Sequence, residues 1–229
     1  MDTAHPDRAH PDLPAPGAAL DLLLPGEAGD LDVILAAPRE PARGIAVICH
    51  PHPLYGGAMN NKVTYTLAAI ALKAGFYALR FNFRGVGRSQ GAHDEGRGEM
   101  RDTLAMANWL RERVPSSFPL LLAGFSFGGY VSVMAADQAD PALLISVAPP
   151  FGGRFAYSVR PPQPRCPWLV IHSRDDDVVA FDATAEALGQ YPTPPELHVV
   201  DGAGHFFNGR LGDIQQAAAD FLQRHPPTR

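Results

Sequence analysis

Residues 120–133 read LLLAGFSFGGYVSV: four apolar positions, a serine between glycines, then small residues that suit a helix. Gly124, Ser126 and Gly128 complete the pattern G-x-S-x-G. If the aliphatic run is a buried strand and the run after it a helix, Ser126 sits on the turn between them. Small residues two before and two after the serine let the strand and helix backbones close on each other there. Eight serines and 22 glycines would produce about 0.07 such matches by chance, before any strand–turn–helix context is required. The bland alternative is a glycine-rich connection carrying an idle serine.

The flanking sequence supplies that context. "LDLLLPGE" and "LDVILAAP" predict a hairpin joined by "GEAGD". "GIAVICH" is a short continuous apolar run, as expected of a strand covered on both faces. Val63, Leu67 and Ile70 recur at helical spacing before Gly75. "YALRFNFR" predicts a strand. Residues 99–113 predict a helix with Met100, Leu104, Ala107 and Leu110 on one face. "PLLLAGFS", "ALLISVAPP", "WLVIHS" and "ELHVV" are further strands. Helices lie between or after them, the last running through Ile214, Ala218 and Phe221. Alternation of this kind predicts an α/β chain with a mostly parallel, doubly wound sheet and helices on both faces. In such sheets ligands sit outside the carboxyl ends of the strands, so chemically capable residues are sought there.

Composition excludes several classes. The net charge is −5, which offers no electrostatic footprint for nucleic acid. No apolar run approaches the roughly 20 residues that span a bilayer. Residues 1–17 are Pro/Ala-rich and lack the apolar core of a signal peptide; they read as a flexible tail, with one domain over 18–229. Cys49 and Cys166 each lie at or beside a predicted strand and read as core thiols, which suits a reducing cytoplasm.

A serine hydroxyl needs a base, and the base needs an orienting carboxylate. His205, in "DGAGHFF", follows the strand "ELHVV" in a glycine-rich turn; His198 lies within that strand and His225 in the polar end. Asp175, Asp176 and Asp177 follow "WLVIHS", and the residues alone leave the choice among them open. The chain order Ser…Asp…His is one of the known triad orders. The intermediate's oxyanion needs backbone N–H donors. One is expected from Phe127, directly after the serine. The other is expected from the loop "CHPHPLYGG", where Pro51 and Pro53 have no N–H and His52, then Leu54, remain. His50 and His52 as a metal pair lack a third ligand at useful spacing, so no metal and no cofactor is implied.

On these stretches ("HPHPLYGGAMNNKV", "LRFNFRGVGRSQG", "AGFSFGG", "VIHSRDDDVV", "GAGHFF") the chain resembles the α/β-hydrolase family, in particular small bacterial serine hydrolases with an H-P-H-P-x-x-G-G loop. The resemblance implies an eight-stranded sheet and a carboxylesterase-like Ser–His–Asp hydrolase acting on a small-molecule ester. It also selects Asp176, through the pattern strand, H-G-x-x-D, with Ser173 in place of the glycine. Arg84, in the family turn "RGVGRS", reads as structural. Thioesterase, peptidase or perhydrolase chemistry uses the same triad, and a non-catalytic relative of the fold is the reading from another class. Many relatives insert a lid after the sixth strand; here only "FGGRFAYSVRPPQPRCP" occupies that place, too short and too rich in Pro and Gly for a helical cap. The site is therefore expected to be open, with Tyr55, Phe125, Phe127, Phe151, Phe155 and Phe206 as candidate walls and short to medium acyl groups as substrates.

Overall fold

Strands buried on both faces carry the centre of the sheet. The computed structural model describes residues 12–155, 157 and 159–226. Its strands are β1 (Ala19–Gly26), β2 (Gly29–Ala36), β3 (Gly44–Cys49), β4 (Phe76–Phe81), β5 (Leu120–Phe125), β6 (Leu143–Val147), β7 (Trp168–Ser173) and β8 (Glu196–Val200). Its helices are α1 (Lys62–Lys73), α2 (Arg97–Arg111), α3 (Phe127–Ala139), α4 (Phe181–Gly189) and α5 (Leu211–Arg224). They form one eight-stranded sheet in the order β1-β2-β4-β3-β5-β6-β7-β8. β2 is antiparallel to both β1 and β4, and the other pairings are parallel.

Every residue of β3, β5, β6 and β7 is buried, which is why each reads as an unbroken apolar run. Alternate side chains serve two cores. Ile45, Val47, Leu120 and Leu122 pack with Met106 of α2 and Val131 of α3 on one face. Ala46, Ile48, Leu121 and Phe125 pack with Leu67 of α1 and Phe221 of α5 on the other. The outer strands β1 and β8 are largely exposed, as edges are.

Three local expectations change. The hairpin pairing continues to Gly26 opposite Gly29, so the turn holds only Glu27 and Ala28 rather than five residues. Gly29 adopts φ 120°, a conformation that the missing Cβ permits. The buried face of α2 includes Glu99, Asp102, Thr103 and Met106, while Met100 and Leu104 are only half-buried. The cause is polar satisfaction: Arg84 donates to both oxygens of Asp102, at 3.0 Å from Nε and 2.7 Å from Nη2. Arg84 is thus a structural clamp between the loop after β4 and α2. Of the stretch read as a tail, residues 1–11 lie outside the described residues. Leu13 packs on the core and the Gly17 N–H donates to Pro38 O at 3.1 Å, so the last part of that stretch is docked.

Candidate active site

Ser126 occupies the turn between β5 and α3 with φ 52° and ψ −121°, a left-handed conformation that a residue with a Cβ rarely adopts. Its N–H donates to Val147 O of β6 at 2.8 Å, which helps to hold it. The flanking glycines answer to close contacts. A Cβ on Gly124 would lie 2.2 Å from Gly128 O, and one on Gly128 would lie 2.4 Å from the carbonyl oxygens of both Cys49 and His50. The G-x-S-x-G pattern is therefore a packing requirement of β5, α3 and β3 meeting at one point.

The loops after β7 and β8 bring the expected partners to this serine. His205 Nε2 lies 3.1 Å from Ser126 Oγ, and His205 Nδ1 lies 2.8 Å from Asp176 Oδ2. Asp176 Oδ1 accepts the N–H groups of Val178 and Val179 at 2.9 and 2.7 Å. His172 Nε2, fully buried, approaches Oδ2 at 3.3 Å. Burial would raise the Asp176 carboxyl, but hydrogen bonds from His172, His205 and the Val179 N–H outweigh it and hold the group well below the usual carboxylate range. Asp175 instead braces the turn, accepting from the Ser173 hydroxyl at 2.7 Å and the Gly202 N–H at 2.9 Å. Asp177 is exposed. Of the three aspartates, Asp176 is the one that reaches the imidazole, and Ser173 fits the turn through its hydroxyl.

Both residues expected to donate to the oxyanion, Phe127 and His52, line the cleft that holds Ser126. Phe127 opens α3, where N–H groups have no intrahelical acceptor and the helix dipole favours negative charge. In the loop after β3, the Leu54 N–H donates to His52 Nδ1 at 3.2 Å, those of Tyr55 and Gly57 to His52 O, and that of Gly56 to Pro53 O. The Leu54 N–H is therefore already engaged, and His52, the first of the two expected donors in this loop, lines the same cleft as Ser126. His50 is a structural residue: Nε2 accepts the Phe83 N–H at 2.9 Å, so Nδ1 carries the proton it donates to Pro51 O at 2.6 Å. Burial lowers its pKa to about 4 and keeps it neutral.

Residues 29–158 match the X-Pro dipeptidyl-peptidase family, S15. A protein of Rickettsia prowazekii with no assigned function is 31% identical over 205 residues, covering 86% of each chain. The chain belongs to the S15 family of α/β hydrolases. An α/β serine hydrolase homologue from Coxiella burnetii is 41% identical with a TM-score of 0.82, over 89% of this chain and 97% of that one. A lid-free α/β serine hydrolase from Xanthomonas campestris is 39% identical with a TM-score of 0.85, over 96% and 100%. This chain is likewise a small, lid-free hydrolase. Between β6 and β7 the described segment contains one short 3-10 turn, Gly153–Phe155, and no cap.

The serine lies in a cleft of about 620 Å3. Tyr55, Phe127 and Phe206 line it, as expected, whereas Phe125 does not. Phe125 is fully buried, its ring 5.1 Å from that of His205, and backs the imidazole from the core. Phe151 packs on Trp168 and Tyr191 instead, and the Phe155 side chain lies outside the described residues. Reading the sequence missed Glu95, Tyr157, Val178 and Val179, which also line the cleft. Glu95 lies in the loop after β4, so the strand-end rule applied to β4 would have brought it forward. Tyr157 comes from a non-periodic segment and left no signal.

Among the described residues no helix is long and apolar enough to cross a membrane. Cys49 and Cys166 are free thiols, each pushed up to about 12, first of all by burial.

Proposed function

We propose that this hydrolase is a serine carboxylesterase for small to medium acyl groups, with Ser126 as nucleophile, His205 as general base and acid, and Asp176 as orienting carboxylate. The observation that supports it most is the two-sided engagement of His205, 3.1 Å from the serine oxygen and 2.8 Å from a carboxylate held ionised. Ser126 Oγ attacks the ester carbonyl carbon as His205 Nε2 takes its proton. Asp176 holds the tautomer with Nδ1 protonated and stabilises the imidazolium that forms. The N–H groups of Phe127 and His52 receive the oxyanion. Collapse expels the alkoxide, which takes the proton from His205, and water repeats the sequence on the acyl-enzyme. The partner is a small-molecule ester, and the two free thiols suit a reducing, cytoplasmic setting. Hydrolysis of p-nitrophenyl acetate through hexanoate, abolished in Ser126→Ala, is the expected result; equal turnover by Ser126→Ala overturns the reading.

The family match favours one second reading, amide hydrolysis by the same residues with His205 protonating an amine. Parallel rates on an X-Pro p-nitroanilide and on p-nitrophenyl butyrate separate the two. A larger kcat/KM on the anilide makes the protein a peptidase.

A further inference from the structure

A second imidazole stands behind the Asp176 carboxylate. His172 of β7 is fully buried, and its ring lies edge-on to that of Phe181 of α4 at 5.7 Å. Its Nε2 is 3.0 Å from Val179 O and 3.3 Å from Asp176 Oδ2. Both neighbours are acceptors, so Nε2 carries the proton and shares it between them. The other ring nitrogen, Nδ1, is then a bare lone pair, buried and without a partner among the described residues.

An orphaned buried acceptor costs stability, and an apolar ring at this place would fill the core without one. The loop after β7 does not depend on His172 alone, since the N–H groups of Val178 and Val179 already tie it to Asp176 Oδ1 at 2.9 and 2.7 Å. What the imidazole adds is a proton aimed at Oδ2, the oxygen that also accepts from His205 Nδ1 at 2.8 Å. Oδ2 thus sits between two imidazoles, and the Asp176 side chain is closed to solvent. Burial raises this carboxyl, and hydrogen bonds from His172 and His205 are among those that hold it below the usual carboxylate range.

We propose that His172 is a positioning residue for the reaction: its Nε2–H fixes Asp176 Oδ2 for His205 and sets how strongly the carboxylate supports the imidazolium. The inference rests on the reading of Ser126, His205 and Asp176 as the reacting groups. The positive end of the His172 N–H dipole faces the place where His205 becomes charged. It keeps Asp176 ionised and at the same time restrains the imidazolium, which forms more readily once that dipole is gone. The other groups around this point do not supply the effect. Asp175 is engaged by Ser173 and Gly202, Arg174, Asp177 and Asp182 are exposed, and α4 presents the uncharged Phe181 ring. The rings of Phe125 and Phe206 flank His205, and His52 and Glu95 elsewhere in the cleft are the same in every variant compared.

The test is the pH profile of kcat/KM on p-nitrophenyl butyrate for the wild type, His172→Phe and His172→Gln. In His172→Phe the ring stays and the donor goes. The plateau should fall by about tenfold, a part of what losing the Asp176 charge would cost. The acid limb should move up by about half a pH unit, because the restraint on the imidazolium is lifted. His172→Gln places an amide N–H near the position of Nε2 and should return both toward the wild type. A plateau that falls with the acid limb in place is what a merely structural residue would give, and it overturns the proposal. So does a limb that moves as far in His172→Gln as in His172→Phe. Nitrogen NMR of the His172 ring in labelled wild-type protein needs neither a folded variant nor turnover. A neutral ring protonated at Nε2 supports the proposal, and one protonated at Nδ1 overturns it. Failure of the esterase reading shows separately, as no turnover by the wild type at any pH.

Discussion

Gly128→Ala adds one methyl group where three backbones meet, and its consequence can be worked from distances. The new Cβ would lie 2.4 Å from the carbonyl oxygens of Cys49 and His50, against an ordinary contact beginning at 3.4 Å, so α3 and β3 must part by about 1 Å. Neither neighbour is a flexible side-chain end; both are backbone atoms at the end of a buried strand. Overpacking of this kind costs about 1–3 kcal/mol. At about 2–4 °C per kcal/mol for a chain of this size, Tm should fall by about 2–12 °C. The displaced helix also carries Ser126 and the Phe127 N–H, and a shift of about 1 Å at reacting groups is worth about a hundredfold in rate. Gly212 of α5 is the control, since a Cβ there meets nothing within 4 Å. Gly212→Ala should be neutral or gain up to about 1 kcal/mol from helix propensity. Thermal melts and ester turnover on the same preparations decide the matter. A Gly128→Ala protein that melts and turns over like the wild type would refute the close-packing argument, and so would a Gly212→Ala protein that loses as much.

Asp176→Asn should fold but lose about ten-thousandfold in kcat, because the imidazole then takes the wrong tautomer; the same loss in Asp175→Asn instead would move the assignment by one residue. His50 binds its proton near pH 6.5 when unfolded and near pH 4 when folded, so its contribution, about 3 kcal/mol, is present above pH 6.5 and is lost as pH falls toward 4. His50→Gln should flatten that part of the pH dependence of urea unfolding; an unchanged slope would show that His50 does not cause it. Asp102→Asn removes the buried counter-charge of Arg84, leaving only the exposed Glu27 carboxylate at 3.3 Å, and should cost up to about 3–5 kcal/mol in the same assay, whereas a loss near zero would make the pair ornamental. The open cleft should favour acetyl to hexanoyl esters, each buried methylene adding about 0.8 kcal/mol until the walls end. A steady rise in kcat/KM to palmitoyl, or a rate jump above the solubility limit, would contradict a lid-free site.

The central strands were legible because β3, β5, β6 and β7 bury both faces and so read as short unbroken apolar runs. The meeting of Ser126 and His205, 3.1 Å apart, was legible because both follow strand ends on the same side of the sheet. What failed was whatever depended on satisfied polar groups. Hydropathy placed Met100 and Leu104 inward, whereas α2 turns Asp102 inward, since Arg84 neutralises it. Phe125 is a candidate wall by its place at a strand end, yet strand alternation sends it into the core behind His205. Three consecutive aspartates look alike in sequence; the turn after β7 distinguishes them by giving Asp175 to Ser173 and Asp176 to His205. Glu95 and Tyr157 come from loops whose course no periodicity encodes.

The central claim is that Ser126, strained into its turn and joined to His205, is the nucleophile. Treatment with a fluorophosphonate, followed by digestion and mass mapping of the adduct, tests it most directly. The account predicts a single adduct on the peptide carrying Ser126, none in Ser126→Ala, and a much slower reaction in His205→Ala. An adduct on another serine, or labelling of Ser126→Ala at the wild-type rate, would contradict it.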